Sequence, residues 1–229
     1  MSIPISEIYG PVFQGEGPVA GQASLMVRVG GCDSRCSWCD SMHAVDGRNK
    51  QAWRKMTPAE IVAEIKAIAR TCPLVTITGG NPALYEEIAE VYALLPIGFR
   101  VAVETQGTIW QDWMWSLEHL IVSPKPPSSG NLLSLVDLKG FLTKAHRGDG
   151  PQIAVKVPVL DGNDLDYVAG FVDCGFPLYL QPVTLEDDGP IAILDKTRWL
   201  WEAVLERGWF HVRVIPALQT LVYGRERGR

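Results

Sequence analysis

The sequence predicts an α/β fold, a partial and open βα barrel on about six core parallel strands. Three observations carry this: short β-branched runs alternate with amphipathic helical runs, Gly, Pro and capping residues punctuate each change of period, and 229 residues do not hold the eight full units of a closed barrel. With 47% hydrophobic residues the chain can bury one sizeable core, so a single domain over residues 1–229 is expected.

Residues 3–9 alternate apolar and polar side chains and read as an edge strand, which the Gly-Pro-Val-Phe-Gln-Gly-Glu-Gly segment at 10–17 breaks as a polar loop. Residues 25–29 form an apolar run, the first core strand, ending at Gly30-Gly31. Thr57-Pro58-Ala59-Glu60 combines an N-cap, a proline at N1 and a capping-box glutamate, and Ile61, Ile65 and Ile68 follow at helical spacing to about residue 70. Residues 74–78 make a second strand that stops at Gly79-Gly80-Asn81-Pro82, before a helix carrying Ile88, Val91, Leu94 and Leu95. Residues 100–104, 120–123 and 153–157 read as the third, fourth and fifth strands, with a short helix at 111–117. The connection 125–150 is irregular and holds one short helix near 136–145. Asn163 or Asp164 caps a helix reaching residue 171, residues 177–181 form a sixth strand, 190–206 a helix and 210–215 a last strand.

The net charge of −5 leaves no electrostatic footprint for nucleic acid, and the basic tail Arg225, Arg227 and Arg229 is expected to be solvated. No apolar run approaches the roughly 20 residues needed to span a bilayer, and the N-terminus lacks the pattern of a secretory signal. A cytoplasmic protein with neither membrane nor nucleic-acid partner is expected. In a reducing compartment five cysteines need not pair, so a cluster of three reads as ligands, while Cys72 and Cys174 read as small buried hydrophobes.

Cys32, Cys36 and Cys39 stand in a C-x3-C-x2-C spacing on a tight loop after the first core strand. Such a loop can wrap a metal centre. Three cysteines leave one iron of a [4Fe–4S] cluster open to a small molecule, whereas a structural zinc site wants four protein ligands, and His43 could supply the fourth. The spacing alone leaves both readings open. In parallel α/β sheets ligands bind at the carboxyl ends of the strands. Those ends carry the cysteines, then Gly79-Gly80-Asn81-Pro82, Glu104-Thr105-Gln106, Ser123-Pro124-Lys125, Lys156 and Gln181. Singly each is an ordinary turn, cap or surface residue; together they ring one face. The glycines admit close approach of a ligand to the backbone, Glu104 can accept from a ribose hydroxyl, Ser123 and Lys125 can meet a carboxylate or a second hydroxyl, and Trp38 offers an aromatic face or a core side chain. Arg28, inside an apolar strand, must be paired if buried: either in a structural ion pair or with a substrate carboxylate, which a guanidinium fork holds by two hydrogen bonds.

The cysteine loop with an aromatic before its third cysteine, followed by a Gly-Gly turn after the next strand, resembles the radical S-adenosylmethionine enzymes. Gln14-Gly15-Glu16-Gly17, Cys39-Asp40-Ser41, Gly79-Gly80-Asn81-Pro82-Ala83-Leu84, Glu104-Thr105-Gln106-Gly107-Thr108 and Ser123-Pro124-Lys125-Pro126-Pro127, in that order over nearly the whole chain, resemble the 7-carboxy-7-deazaguanine synthase family of queuosine biosynthesis.

The resemblance implies a lyase in which the reduced cluster gives an electron to S-adenosylmethionine. The resulting 5′-deoxyadenosyl radical takes hydrogen from C6 of 6-carboxy-5,6,7,8-tetrahydropterin, the ring contracts, ammonia leaves, the hydrogen returns and the cofactor is regenerated. It implies that Phe13, Gln14, Gly15, Glu16, Arg28 and Thr78 hold the pterin. It places the cofactor on Trp38, Cys39, Asp40, Gly80, Glu104, Ser123, Pro124 and Lys125. It further implies Mg2+ on Ser41 and the substrate carboxylate, although some members carry threonine there, a homodimer, and an electron donor such as flavodoxin or ferredoxin. Contacts from Gln219 and the last residues are not specified by it. Two alternatives remain: a zinc-binding protein using the three cysteines and His43, and a glycyl-radical activating enzyme, which shares the cysteine spacing but acts on a protein.

Overall fold

Nine strands form one open sheet, in the order β3-β1-β2-β4-β5-β6-β7-β8-β9, in the computed structural model, which describes residues 1–131 and 134–228. Leu132 and Leu133 of the irregular connection and Arg229 of the basic tail lie outside the described residues. In chain order the elements are β1 (Ile3–Phe13), β2 (Ala23–Val29), α1 (Met42–Val45), β3 (Arg54–Met56), α2 (Pro58–Ala69), β4 (Leu74–Gly79), α3 (Ile88–Leu94), β5 (Arg100–Thr105) and β6 (His119–Val122). They continue with α4 (Leu135–Ala145), β7 (Gln152–Val159), α5 (Gly162–Ala169), β8 (Leu178–Pro182), α6 (Pro190–Glu206), β9 (Arg213–Val214) and α7 (Leu218–Tyr223).

From β2 to β9 every neighbouring pair is parallel, and six of these strands, β2 and β4 to β8, are longer than the two-residue β9. The sheet ends at β3 and β9 without closing. This is the open βα barrel that the alternating pattern predicts.

The expected edge strand differs in two ways. β1 runs on past Gly10-Pro11, because a register irregularity between Tyr9 and Val12 absorbs both residues and lets Val12 and Phe13 pair with Ser24 and Ala23. Nor is β1 the edge, since the three-residue β3 pairs antiparallel outside it. The last strand shrinks to Arg213–Val214.

The pleat sorts each strand into two faces. Leu25, Val27 and Val29 of β2, Val75 and Ile77 of β4, Val101 and Val103 of β5 and Val155 and Val157 of β7 enter one core with Ile61 and Ile65 of α2. Their alternate neighbours Met26, Arg28, Thr76, Thr78, Glu104 and Lys156 face a cavity on the other side. One strand pattern therefore builds both core and site.

Local caps explain the helix starts. Thr57 and Glu60 make the reciprocal capping box expected of α2. In α5 the cap is Asp161, two or three residues before those expected, because its carboxylate accepts from the amides of Asn163 and Asp164. Asp164 is instead buried and accepts from Ser128 N, Ser128 Oγ and Leu160 N, pinning the loop after β6. Among the described residues no helix is long and apolar enough to cross a membrane.

Candidate active site

The cysteine loop is held from three sides. Gly31 N donates to Ala44 O of α1, Ser37 N to Ser129 O, and Asn81 N, after β4, back to Gly31 O. Gly80 packs so closely on this loop that a Cβ there would overlap the Gly31 carbonyl, and Gly79 takes φ +125°, which an L side chain avoids. The Gly-Gly turn is thus fitted to the cysteine loop as well as open to a ligand.

Cys32, Cys36 and Cys39 all line the cavity and none forms a disulfide. Gln106 Nε2 donates to Cys32 Sγ at 2.7 Å and Asn131 Nδ2 to Cys36 Sγ at 3.3 Å. N–H donors aimed at sulfur suit metal-bound thiolates. Burial raises the pKa of all three thiols, and the nearby Lys125 charge offsets only part of that rise. His43 takes a different direction. Its Nε2 lies 3.3 Å from Glu7 Oε2, and the residue is absent from the cavity wall. Among the described residues no three His, Cys, Asp or Glu side chains close into the shell of a single ion. The zinc site that spacing allowed is therefore not assembled. Three thiols spread along one wall are compatible with a cluster, where each sulfur meets a separate iron.

Most of the other candidates converge on the same cavity: Gln14, Gly15, Glu16, Arg28, Thr78, Trp38, Asp40, Ser41, Gly80, Glu104, Ser123 and Lys125 line it, as does Phe13, which is 67% exposed. Pro124 does not; it is buried behind the wall that Ser123 and Lys125 present. Trp38 is half-buried with Nε1 donating to Ser128 Oγ at 3.0 Å, so it is a wall residue and not a core tryptophan. Lys125 Nζ donates to Ser123 Oγ at 2.9 Å.

Arg28 has the acidic neighbour that its burial requires, and it also lines the cavity. Nη1 donates to Ser41 Oγ at 2.9 Å, and Nε stands 3.3 Å from Glu7 Oε2 without the geometry of a hydrogen bond. Ser41 Oγ in turn donates to Asp40 Oδ1 at 2.9 Å. Burial lowers the guanidinium's proton affinity, and Tyr9, Asp40 and Glu7 more than restore it.

Lys156 reads as a surface charge in isolation, yet its side chain is 5% exposed. Its Nζ lies 2.5 Å from Glu16 Oε2 and 2.7 Å from Glu104 Oε1. Burial pushes the Glu16 carboxyl up, but the Lys156 charge and hydrogen bonds from Lys156, Gln219 and Gln181 reverse this and hold it well below the usual carboxylate range.

The C-terminal segment, which the family resemblance does not specify, contacts the Gly15-Glu16 loop. Leu218 N donates to Gly15 O, Gln219 donates to Glu16, Arg225 lines the cavity and donates to Thr184 O, and Arg227 pairs with Glu7 at 2.6 Å. Arg225 and Arg227 stay exposed, as expected of the tail, yet each has a folded partner, and Arg225 also reaches the cavity. Arg28 Nε, Gln106 Oε1, Gln181 Oε1, Thr184 Oγ1 and Gln219 Oε1 are buried without hydrogen-bond partners, and all belong to cavity residues. Unpaired buried polar atoms concentrated in one wall fit a polar ligand.

The model of the radical SAM superfamily matches residues 26–121, a span that includes the cysteine loop and the Gly-Gly turn. A 7-carboxy-7-deazaguanine synthase of Bacillus subtilis is 40% identical, over 99% of this chain and 98% of its own length. The enzyme of that name from Bacillus cereus is 39% identical over the same shares. The chain belongs to the 7-carboxy-7-deazaguanine synthase family. The fold agrees: the crystal structure of QueE from Escherichia coli superposes with a TM-score of 0.69 over 94% of both chains, at 22% identity. Membership of this radical SAM family implies a [4Fe–4S] cluster and S-adenosylmethionine.

Proposed function

We propose that this chain is a radical S-adenosylmethionine lyase that contracts the ring of 6-carboxy-5,6,7,8-tetrahydropterin to 7-carboxy-7-deazaguanine with loss of ammonia. The observation that carries the reading is one cavity whose lining includes the three free cysteines that follow β2 and five residues with unpaired buried polar atoms. When bound, the cluster and S-adenosylmethionine supply an organic radical able to take a hydrogen atom from the substrate.

The chain's own residues then divide the work. Cys32, Cys36 and Cys39 anchor the cluster, with Gln106 and Asn131 as donors to sulfur. Glu104, Gly80, Ser123 and Lys125 offer a carboxylate, a close backbone, a hydroxyl and an ammonium to the polar ends of the cofactor, beside Trp38. Glu16, kept ionised by Lys156, accepts from the amino and amide N–H groups of a pterin, and Gln14, Thr78, Gln181 and Gln219 complete that polar wall. Arg28 meets the substrate carboxylate and so orients C6.

Ser41 is the reading's magnesium ligand. Its hydroxyl lies beside Asp40 and Arg28 at the same corner, and Mg2+ accepts one or two protein oxygens when waters and substrate fill the octahedron. A homodimer is supported by family likeness and by Ile191, Leu194, Trp201 and Leu205, exposed along one stripe of α6. The reductant is of the flavodoxin or ferredoxin kind. Anaerobic reconstitution tests the reading: the protein should hold about four irons and cleave S-adenosylmethionine when reduced. A colourless zinc protein would refute it.

A further inference from the structure

We propose that Lys156 is a positioning residue that ties the cofactor end of the cavity to the substrate end by holding Glu104 and Glu16 in one shared register. The inference rests on the function proposed above. Glu104 leaves the end of β5, whereas Glu16 follows β1 on the far side of β2 and β4. The two carboxylates belong to elements that are not hydrogen-bonded neighbours, and Lys156, rising from β7, reaches both, at 2.5 Å and 2.7 Å.

A buried ammonium needs its N–H donors satisfied, and the partners could all have come from one end of the cavity. This one takes a carboxylate from each end of the cavity, and Glu16 is fastened a second time by Gln219 of α7. An ammonium has three N–H donors, so a small shift of Glu104 changes how firmly the same nitrogen holds Glu16. Coupling of this kind is reciprocal: a change at the cofactor end must be felt at the substrate end by the same factor.

The test uses cluster-reconstituted protein under anaerobic conditions and reads equilibrium affinities. Glu104→Gln, at a residue assigned to the cofactor, should change the pterin Kd by about fivefold or more when Lys156 is present. In the Lys156→Met background the same substitution should change it by less than about twofold. An equal effect in both backgrounds, or none in either, with cluster content retained, makes Lys156 a structural ion-pair partner and overturns the proposal. If Lys156→Met does not fold, Lys156→Arg replaces it. That variant keeps the charge but changes the donor geometry, and it should at least halve the Glu104→Gln effect; an undiminished effect would overturn the proposal. A second arm separates this failure from failure of the assigned function. With S-adenosylmethionine as the only ligand, Glu16→Gln should shift cofactor affinity in the wild-type background and not in the Lys156 variant. Wild-type protein that binds S-adenosylmethionine but no pterin counts against the substrate assignment, and the second arm still decides the role of Lys156.

Discussion

Arg28 Nη1 donates to Ser41 Oγ at 2.9 Å, so a strand residue and the hydroxyl after the Cys39-Asp40 pair meet at one corner of the cavity. The two residues assigned to the substrate carboxylate, one as a cation and one as a magnesium ligand, arrive there from different elements. A carboxylate at this corner would meet the guanidinium directly, and the Glu7 carboxylate lies beside that guanidinium, 3.3 Å from Nε.

Arg28→Ala should weaken pterin binding by about 2–5 kcal/mol, roughly a 30- to several-thousand-fold loss, while cluster content and S-adenosylmethionine affinity stay near wild type. Glu7 retains His43 and Arg227 as partners in the variant, so the fold should survive. Isothermal titration of anaerobic protein measures this. An unaltered pterin affinity in folded variant protein would reduce Arg28 to a structural ion pair.

Ser41→Ala should blunt the stimulation of turnover by Mg2+ and leave the cluster spectrum unchanged, because the substitution removes only the hydroxyl, while the donors to sulfur from Gln106, Asn131 and the Ser41 backbone remain. Ser41→Thr, which keeps the oxygen, should retain the response. A magnesium response equal to wild type in Ser41→Ala removes this residue from the metal site.

Replacing Cys32, Cys36 or Cys39 with alanine should abolish cofactor cleavage and lower the iron content. His43→Ala should leave iron binding intact, since the imidazole pairs with Glu7. Iron analysis of the four variants decides the point, and equal iron loss in His43→Ala would restore it as a ligand.

Glu7 makes the fold sensitive to acid. Burial pushes its carboxyl up, but hydrogen bonds from His43 and Arg227 and the Arg28 charge bring it to about 2, against an ordinary value of 4.5. A lowered folded value contributes stability that is fully present above about pH 4.5 and is lost as pH falls toward about 2. The gap between wild type and Glu7→Gln, on the order of 2 kcal/mol near neutrality, should therefore narrow through that window in denaturant melts. A gap that does not change with pH would show that the carboxylate's charge is not what stabilises the fold.

Much of the fold is legible where local chemistry and tertiary context agree. Thr57-Pro58-Glu60 caps α2 within its own four residues, and the whole of α6 follows from its helical period. β1 is misread because Gly10-Pro11 looks like a break, while pairing to β2 carries the strand through an irregularity that no local signal marks. β3 is too short to show a period. In the site, the cysteines and the strand-end residues are readable because their spacing is local. Lys156 is readable as one of these strand-end residues, but its burial is not, since that depends on Glu16, 140 positions earlier in the chain. Arg225 and Arg227 likewise acquire partners only when the chain end folds back on Glu7 and Thr184.

Anaerobic turnover with 6-carboxy-5,6,7,8-tetrahydropterin, S-adenosylmethionine, Mg2+ and a low-potential reductant, followed by mass spectrometry, tests the central claim most directly. The account predicts 7-carboxy-7-deazaguanine and ammonia in equal amounts, with S-adenosylmethionine largely unconsumed. Iron-loaded protein that cleaves the cofactor but leaves the pterin unchanged would contradict it.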